Sequence, residues 1–444
     1  MPVSVGFISL GCAKNLVDSQ IMAGFLKQGQ IQLASSPETA DIILVNTCAF
    51  IDIAREEAAE AILSACAHKA QGGCRAVVVT GCLVQRYRDQ LESVFPDVDA
   101  FIGVDELERI GEVVHQVAEG KQCGVLVAAG QPVKLYNPAY PTLLFTGGPF
   151  AYLKIAEGCD HRCAYCAIPN IRGSFRSRAA DDLLLEAETM VRAGVREINL
   201  ISQDSLLYGA DQAGKPSIAA LLRRIDTIDG DFLFRVLYGY PAGVTDEVLE
   251  VLNTAKHLCK YLDLPIQHSH PDILRAMHRG PAVAAIEDLA PRLRRAVPGV
   301  VLRTTCLVGF PGETDEHFQH LLEYVKAAAF DHLGVFAFSP EEETPAFDLP
   351  NTPDPEKAQE RCEQLMAVQK RIVAQRVKAL KGTEDRVLLL RHERRGWIGR
   401  LPRQAPSVDG ETRVRGVPSG ALPGQFLPVT ITGAKGYDLE AQVR

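Results

Sequence analysis

Short apolar runs alternate with amphipathic stretches along the first part of the chain. Residues 3–10, 41–47, 76–80 and 100–103 are rich in Val, Ile, Leu and Ala without strict alternation, which predicts strands buried on both faces. Between them, residues 16–28, 52–71, 84–95 and 106–119 repeat apolar positions at helical spacing. The expectation for 1–120 is therefore an α/β, doubly wound domain with a parallel sheet. Periodicity lapses over 121–149, where Pro and Gly cluster, and this stretch reads as a linker. The rhythm resumes over 150–380. Strands are predicted at 152–156, 197–201, 232–238, 261–265, 301–308 and 332–338, with helices such as 181–193, 246–254, 282–296 and 315–328 between them. Six such units predict a partly closed (β/α)6 barrel, followed by a long charged helix over 354–380 that begins near Pro355 and stops before Gly382. In the tail, 381–444, five short stretches at 386–390, 396–401, 411–414, 425–432 and 438–443 are separated by Gly/Pro turns. They predict a small antiparallel β-barrel of the oligonucleotide-binding kind.

The 444 residues suffice for several domains, and with 47% apolar and 23% charged residues each can bury a core. Net charge is −8. The tail holds eleven Lys and Arg against seven Asp and Glu, so it carries +4 and the rest −12. An acidic body suits a basic protein partner better than a phosphate backbone, whereas the positive tail leaves RNA contact open. The N-terminus shows no secretory pattern, and no apolar run reaches the ~20 residues of a membrane span, so a cytoplasmic location is expected. In that compartment twelve cysteines are expected as thiols, with clustered ones as metal ligands.

Two groups of cysteines stand out. Cys159, Cys163 and Cys166 follow the first barrel strand at C-x3-C-x2-C, at the barrel face where ligands bind. A structural zinc site wants four ligands, and no fourth cysteine is near; His161 lies too close to its neighbours to ligate easily. Three thiolates on a four-iron cluster leave one iron open, as chelation by the amino and carboxylate groups of S-adenosylmethionine (SAM) requires. Cys12, Cys48 and Cys82 each stand just beyond a strand of the first sheet, one strand–helix–strand repeat apart. Three thiols at the carboxyl edge of one sheet predict a second cluster, against the alternative of small buried residues after strands. Cys66, Cys74, Cys123, Cys259, Cys306 and Cys362 read as core or surface thiols. Ser202, Gln203, Gln267, Arg303, Gly309, Gly312 and Glu313 are expected to line the SAM pocket, with Asp204, His268 and His270 nearby. Arg172, Arg176 and Arg178 either hold the carboxylate of SAM or are solvated, and Trp397 is expected in the tail-barrel core.

The run from Glu157 to Cys166 resembles the radical SAM superfamily. With Cys12, Cys48 and Cys82 before it and a small barrel after it, nearly the whole chain resembles the methylthiotransferases, which join a cluster domain, a radical SAM barrel and a TRAM domain. Leu-Gly-Cys-Ala-Lys-Asn-Leu-Val-Asp-Ser at 10–19 and His-Leu-Gly-Val-Phe-Ala-Phe-Ser-Pro-Glu-Glu at 332–342 resemble the protein-modifying branch more than the tRNA-modifying one. The chain departs from that branch at Ala13, where Pro is usual, and at Glu343, where Gly is usual. The resemblance implies two 4Fe–4S clusters, two SAM molecules per turnover, and methylthiolation of the β-carbon of an aspartate in ribosomal protein S twelve of the small subunit. It also implies an electron donor such as a flavodoxin. Contact with ribosomal RNA, or a tRNA adenosine as substrate instead, remains the alternative that the basic tail supports.

Overall fold

The computed structural model describes residues 3–444. Strands β1 (Ser4–Ser9), β2 (Gln32–Leu33), β3 (Ile42–Thr47), β4 (Ala76–Gly81), β5 (Ala100–Ile102) and β6 (Gly124–Leu126) form one parallel sheet in the order β2-β1-β3-β4-β5-β6. Every residue of β3 and β4 is buried, as continuous apolar strands covered on both faces must be. The strand order reverses between β1 and β3, which opens a crevice at their carboxyl ends. The reading of 121–149 as linker is corrected at its start. Gly124–Leu126 is the sixth strand of the sheet, paired with β5 from Ala100↔Gly124 onward. A three-residue edge strand is too short to show a period, so pattern alone misses it. Residues 127–149 carry neither helix nor strand.

The second domain opens with β7 (Phe150–Lys154) and a two-residue antiparallel pair, β8 (Ala156–Glu157) and β9 (Arg176–Ser177). Then come β10 (Glu197–Ile201), β11 (Leu233–Val236), β12 (Leu258–Asp263), β13 (Val301–Val308) and β14 (His332–Ala337). Strands β7 and β10 to β14 make a six-stranded parallel sheet in chain order, with its first and last strands unpaired to each other. This is the partly closed barrel. The single helix expected over 282–296 is two, Ala282–Glu287 and Leu289–Ala296. Pro291 lacks an amide hydrogen and is tolerated only in a first turn, so the helix restarts just ahead of it. The helix Pro355–Leu380 packs on β14 and on the helix Asp315–Ala328.

The tail strands β15 (Glu384–Glu393), β16 (Gly396–Arg400), β17 (Thr412–Arg415), β18 (Phe426–Lys435) and β19 (Asp438–Val443) close into a barrel. All pairs are antiparallel except β17 with β19, which closes the ring in parallel.

One helix joins the first two domains. Helix α1 (Ala13–Gln28) presents Val17 and Ile21 to the barrel residues Tyr152, Ile201, Leu237 and Tyr261. It also buries Asn15, Asp18, Ser19 and Gln20, because its other sides face the sheet and the linker. The tail is fastened by two buried charge groups. Glu197 takes Arg235 at 2.7 Å and Arg400 at 2.6 Å. Asp409 takes Arg303 at 2.9 Å and the Tyr261 hydroxyl at 2.7 Å.

Candidate metal centres

The N-terminal thiols meet at the crevice where the strand order reverses. The ladders are in register, Ser9↔Asn46 and Thr47↔Gly81, so Cys48 and Cys82 leave adjacent strands at the same level. Gly11, at φ +83°, brings Cys12 in beside them; a Cβ at Gly11 would stand 2.7 Å from the Cβ of Cys48. Asn15, one turn into α1, donates to the carbonyl of Thr47 at 2.7 Å. The buried guanidinium of Arg172 donates to Asn15 Oδ1 at 2.6 Å and to Cys82 Sγ at 3.2 Å.

Arg172 also begins an ionic chain that leads to the other thiols. It pairs with Asp18 at 2.9 Å; Asp18 holds Lys154 at 2.6 Å; Lys154 holds Glu157 at 2.8 Å. Burial opposes ionisation of Glu157, but Lys154 and Arg172 outweigh it and hold the carboxyl below its usual range. Glu157 lies two residues before Cys159 and accepts from Gln203 at 2.6 Å.

The barrel thiols sit in one loop pinned by the β8–β9 pair. Gly158, at φ +79°, is required there, because a Cβ would stand 2.1 Å from the carbonyl oxygen of Ser174. The amide of Cys159 bonds Gly173 at 3.1 Å, and the amide of Cys166 bonds Cys163 at 3.0 Å. Arg279 approaches Cys163 Sγ at 3.6 Å and is held by the carbonyl of Pro265 at 2.7 Å. His161 is no ligand candidate. It stacks on Tyr240 at 4.0 Å and bonds Asp204 at 2.6 Å.

Both triads fit an iron–sulfur group. Each offers three thiols, and each places one buried arginine N–H toward a sulfur, which stabilises anionic sulfur and tunes a cluster. In the chain without metal, burial pushes Cys48 up to about 12 and Cys159 up to about 11, and Cys166 further. Metal binding must therefore displace protons. Cys12 differs: burial opposes ionisation, but Lys14, the amide of Asn15 and Arg172 outweigh it and lower the thiol.

The chain is similar to known proteins in each of its three parts. Residues 4–103 match an uncharacterized protein family, UPF0004; residues 153–325 match the radical SAM superfamily; residues 382–443 match the TRAM domain. The ribosomal protein uS12 methylthiotransferase RimO of Syntrophus aciditrophicus is 44% identical, over 99% of this chain and 98% of its own. RimO of Geobacter sulfurreducens is 40% identical, again over 99% and 98%. The chain belongs to the RimO family. Membership brings SAM and iron–sulfur chemistry with it. The fold has solved neighbours in TsrM from Kitasatospora setae, a radical SAM methyltransferase with cobalamin and a [4Fe-4S] cluster bound (TM-score 0.57, 16% identity, 78% of this chain and 77% of that one), and in the cobalamin-dependent radical enzyme OxsB (TM-score 0.51, 13%, 84% and 56%).

Other residues of this RimO-family chain fall partly where expected. Ser202 and Gln203 follow β10; Gln203 Oε1 has no partner, a free acceptor at the barrel mouth. Gln267 takes φ +67° and bonds Thr305 and Leu307 through its backbone. Glu313 binds the amide of Phe310 at 3.2 Å and also that of Gly309, so it shapes the Gly309–Gly312 turn from behind. Arg303 is committed to Asp409 and, at 3.6 Å, to Asp263. His268 is buried, while His270 caps the helix Pro271–Ala276. Two expectations are corrected. Arg172 neither faces solvent nor stands free for a ligand; it is locked between Asp18, Asn15 and Cys82. Trp397 packs against the tail-barrel core but is half-buried rather than enclosed, because its outer side lines a groove of about 590 Å³ with His392, Arg395 and Arg415. Arg178 pairs with Glu186 at 2.6 Å, and Arg176 bonds the carbonyl of Arg172 at 3.2 Å. Of the six remaining cysteines, Cys74, Cys259, Cys306 and Cys362 are buried and Cys66 and Cys123 half-buried. Sequence reasoning missed Arg279 and Lys154; both lie in unremarkable contexts, and only folding sets them beside the triads. Glu343 takes φ +63°, a left-handed conformation that favours glycine, the residue that the resemblance leads one to expect there.

Proposed function

We propose that this RimO-family chain places a methylthio group on the β-carbon of an aspartate in ribosomal protein uS12. In this reading Cys159, Cys163 and Cys166 hold one 4Fe–4S cluster and Cys12, Cys48 and Cys82 a second. Residues 1–126 act as the sulfur-donating domain, 127–149 as linker, 150–380 as the SAM-cleaving domain and 381–444 as a docking domain. The observation that carries the reading is the buried chain from Cys82 through Arg172, Asp18, Lys154 and Glu157, which links the N-terminal triad to the strand that leads into the barrel triad's loop. Bound there, the clusters and SAM supply an electron, a hydrogen-abstracting radical and a sulfur, since no side-chain base removes such a hydrogen at useful rates.

The chain's own residues position and exclude. Ser202, Gln203, Gln267, Gly309 and Gly312 line the SAM pocket, with the free Oε1 of Gln203 accepting from the ligand. Arg303 and Glu313 serve from behind, the one by seating the tail, the other by shaping the Gly309 turn. The electron donor is an external protein of the flavodoxin kind. The groove around Trp397, with Arg395 and Arg415, favours contact with ribosomal RNA beside the protein substrate. Mass spectrometry of uS12 and of tRNA from cells lacking the chain tests the proposal. Loss of a methylthio group from uS12 is expected. Its loss from tRNA adenosine, with uS12 unchanged, overturns it in favour of the tRNA branch.

A further inference from the structure

One cation at the junction of the two triads has no assignment. Lys14 lies in the first turn of α1, two residues after Cys12, and is half-buried. Its ammonium stands 3.4 Å from the centroid of the Tyr238 ring. Among the described residues it has no Asp or Glu partner, and its neighbours are all taken. Lys154 is held by Asp18 and Glu157, Arg172 by Asp18, and Arg303 by Asp409. Arg279 is bound to the carbonyl of Pro265, and Arg162, within the barrel loop, is exposed to solvent. Asp263 feels the charge of Lys14 but accepts from the amide of Tyr238 at 3.1 Å and faces Arg303 at 3.6 Å.

A ring face attracts an ammonium without using its three N–H donors. The donors of Lys14 are therefore available to an anion. The platform beneath them is built at a cost: Tyr238 takes φ +63°, a left-handed conformation that a bulky residue rarely adopts. That backbone follows β11 at the barrel mouth, and the charge of Cys12 reaches the same ring. Lys14 thus stands where the N-terminal triad and the barrel mouth meet.

We propose that Lys14 is the anchor for the carboxylate of the substrate aspartate, holding it over Tyr238 beside Cys12. The inference rests on the aspartate reading above. The reacting β-carbon is bonded directly to that carboxylate, so fixing the carboxylate fixes the carbon. The anchor also selects: an asparagine offers no charge to the ammonium, and a glutamate moves the carbon bonded to its carboxylate one position along the side chain.

The test is binding of uS12 to the cluster-loaded protein with SAM and no reductant, so that nothing turns over. Native uS12 is compared with a form whose target aspartate, located by mass spectrometry of the modified product, is replaced by Asn. The wild-type chain is expected to prefer the Asp form by roughly tenfold or more, the scale of one charge-assisted hydrogen bond. Lys14→Met and Lys14→Gln should lose that preference, and Lys14→Arg should retain most of it. The preference is a ratio of two affinities on one protein, so partial misfolding cancels. Unchanged discrimination in Lys14→Met or Lys14→Gln overturns the anchor while leaving the proposed function intact. A wild-type chain that modifies tRNA and not uS12 overturns both.

Discussion

The two thiol triads do the same chemical job, presenting three sulfurs, by opposite means. Cys159, Cys163 and Cys166 lie within one loop, and local hydrogen bonds with a two-residue strand pair hold their geometry. Cys12, Cys48 and Cys82 come from three strand ends and depend on the register of a whole sheet. The arginines beside them differ likewise. Arg279 stays within the barrel domain and meets no carboxylate, only the Pro265 carbonyl, the Cys163 thiol, the Tyr165 hydroxyl and the Tyr240 ring. Arg172 belongs to the barrel domain in sequence yet serves the N-terminal triad, and it is tied to two carboxylates. A contiguous site can be built by a loop; a dispersed one needs a fold and, here, a second domain to complete it.

Removing sulfurs should separate the triads most sharply. Cys163→Ala is expected to abolish both formation of 5′-deoxyadenosine from SAM and modification of uS12. Cys48→Ala should abolish modification alone, and iron should fall from about eight per chain toward about four in either triple-alanine variant. Loss of SAM cleavage in Cys48→Ala would show that the triads do not work separately.

The arginines should differ next. Arg172→Leu leaves Asp18 and Glu157 with less compensation and should cost about 3–5 kcal/mol, read from the urea midpoint of the metal-free chain. Arg279→Leu frees no carboxylate, only the Pro265 carbonyl, the Cys163 thiol, the Tyr165 hydroxyl and the Tyr240 ring face, and should cost about 1–3 kcal/mol. Equal costs would remove the asymmetry drawn between a local and a cross-domain support.

Proton release on metal binding should differ less. Cys48 and Cys159, raised to about 12 and about 11, are protonated at neutral pH and must each give up a proton, so uptake by both triads tightens as pH rises. The lowered Cys12 has less proton to lose, so the N-terminal triad should release fewer per metal. Titration calorimetry in two buffers on the triple-alanine variants measures this; more protons from the N-terminal triad would contradict it. Smallest of all, Arg223→Ala breaks an exposed pair with Glu250 at 3.0 Å and should change stability by under about 1 kcal/mol, with iron content unaltered.

Much of this was legible in the residues alone. The apolar runs that became β3 and β4, and the C-x3-C-x2-C loop, are local signals, since buried strands need continuous apolar sequence and a loop site needs close spacing. The dispersed triad was legible too, through the regular recurrence of a cysteine after a strand. β6 was not, because three residues show no period and the strand exists only by pairing with β5. Trp397 does pack on the tail-barrel core, but its half-exposure was not legible, because the groove on its outer side depends on the turn after β17.

Sequence by itself determined the order of the three domains, the two groups of three thiols and the family. Only the tertiary structure decided what stands around those thiols. No local pattern tells what Arg172, Asp18, Lys154 and Lys14 touch; a charged residue in a helix or strand is usually solvated. Their roles arise because α1 is pressed between a sheet and a barrel, where low polarisability strengthens each paired charge and leaves Lys14 facing a ring instead of an acid.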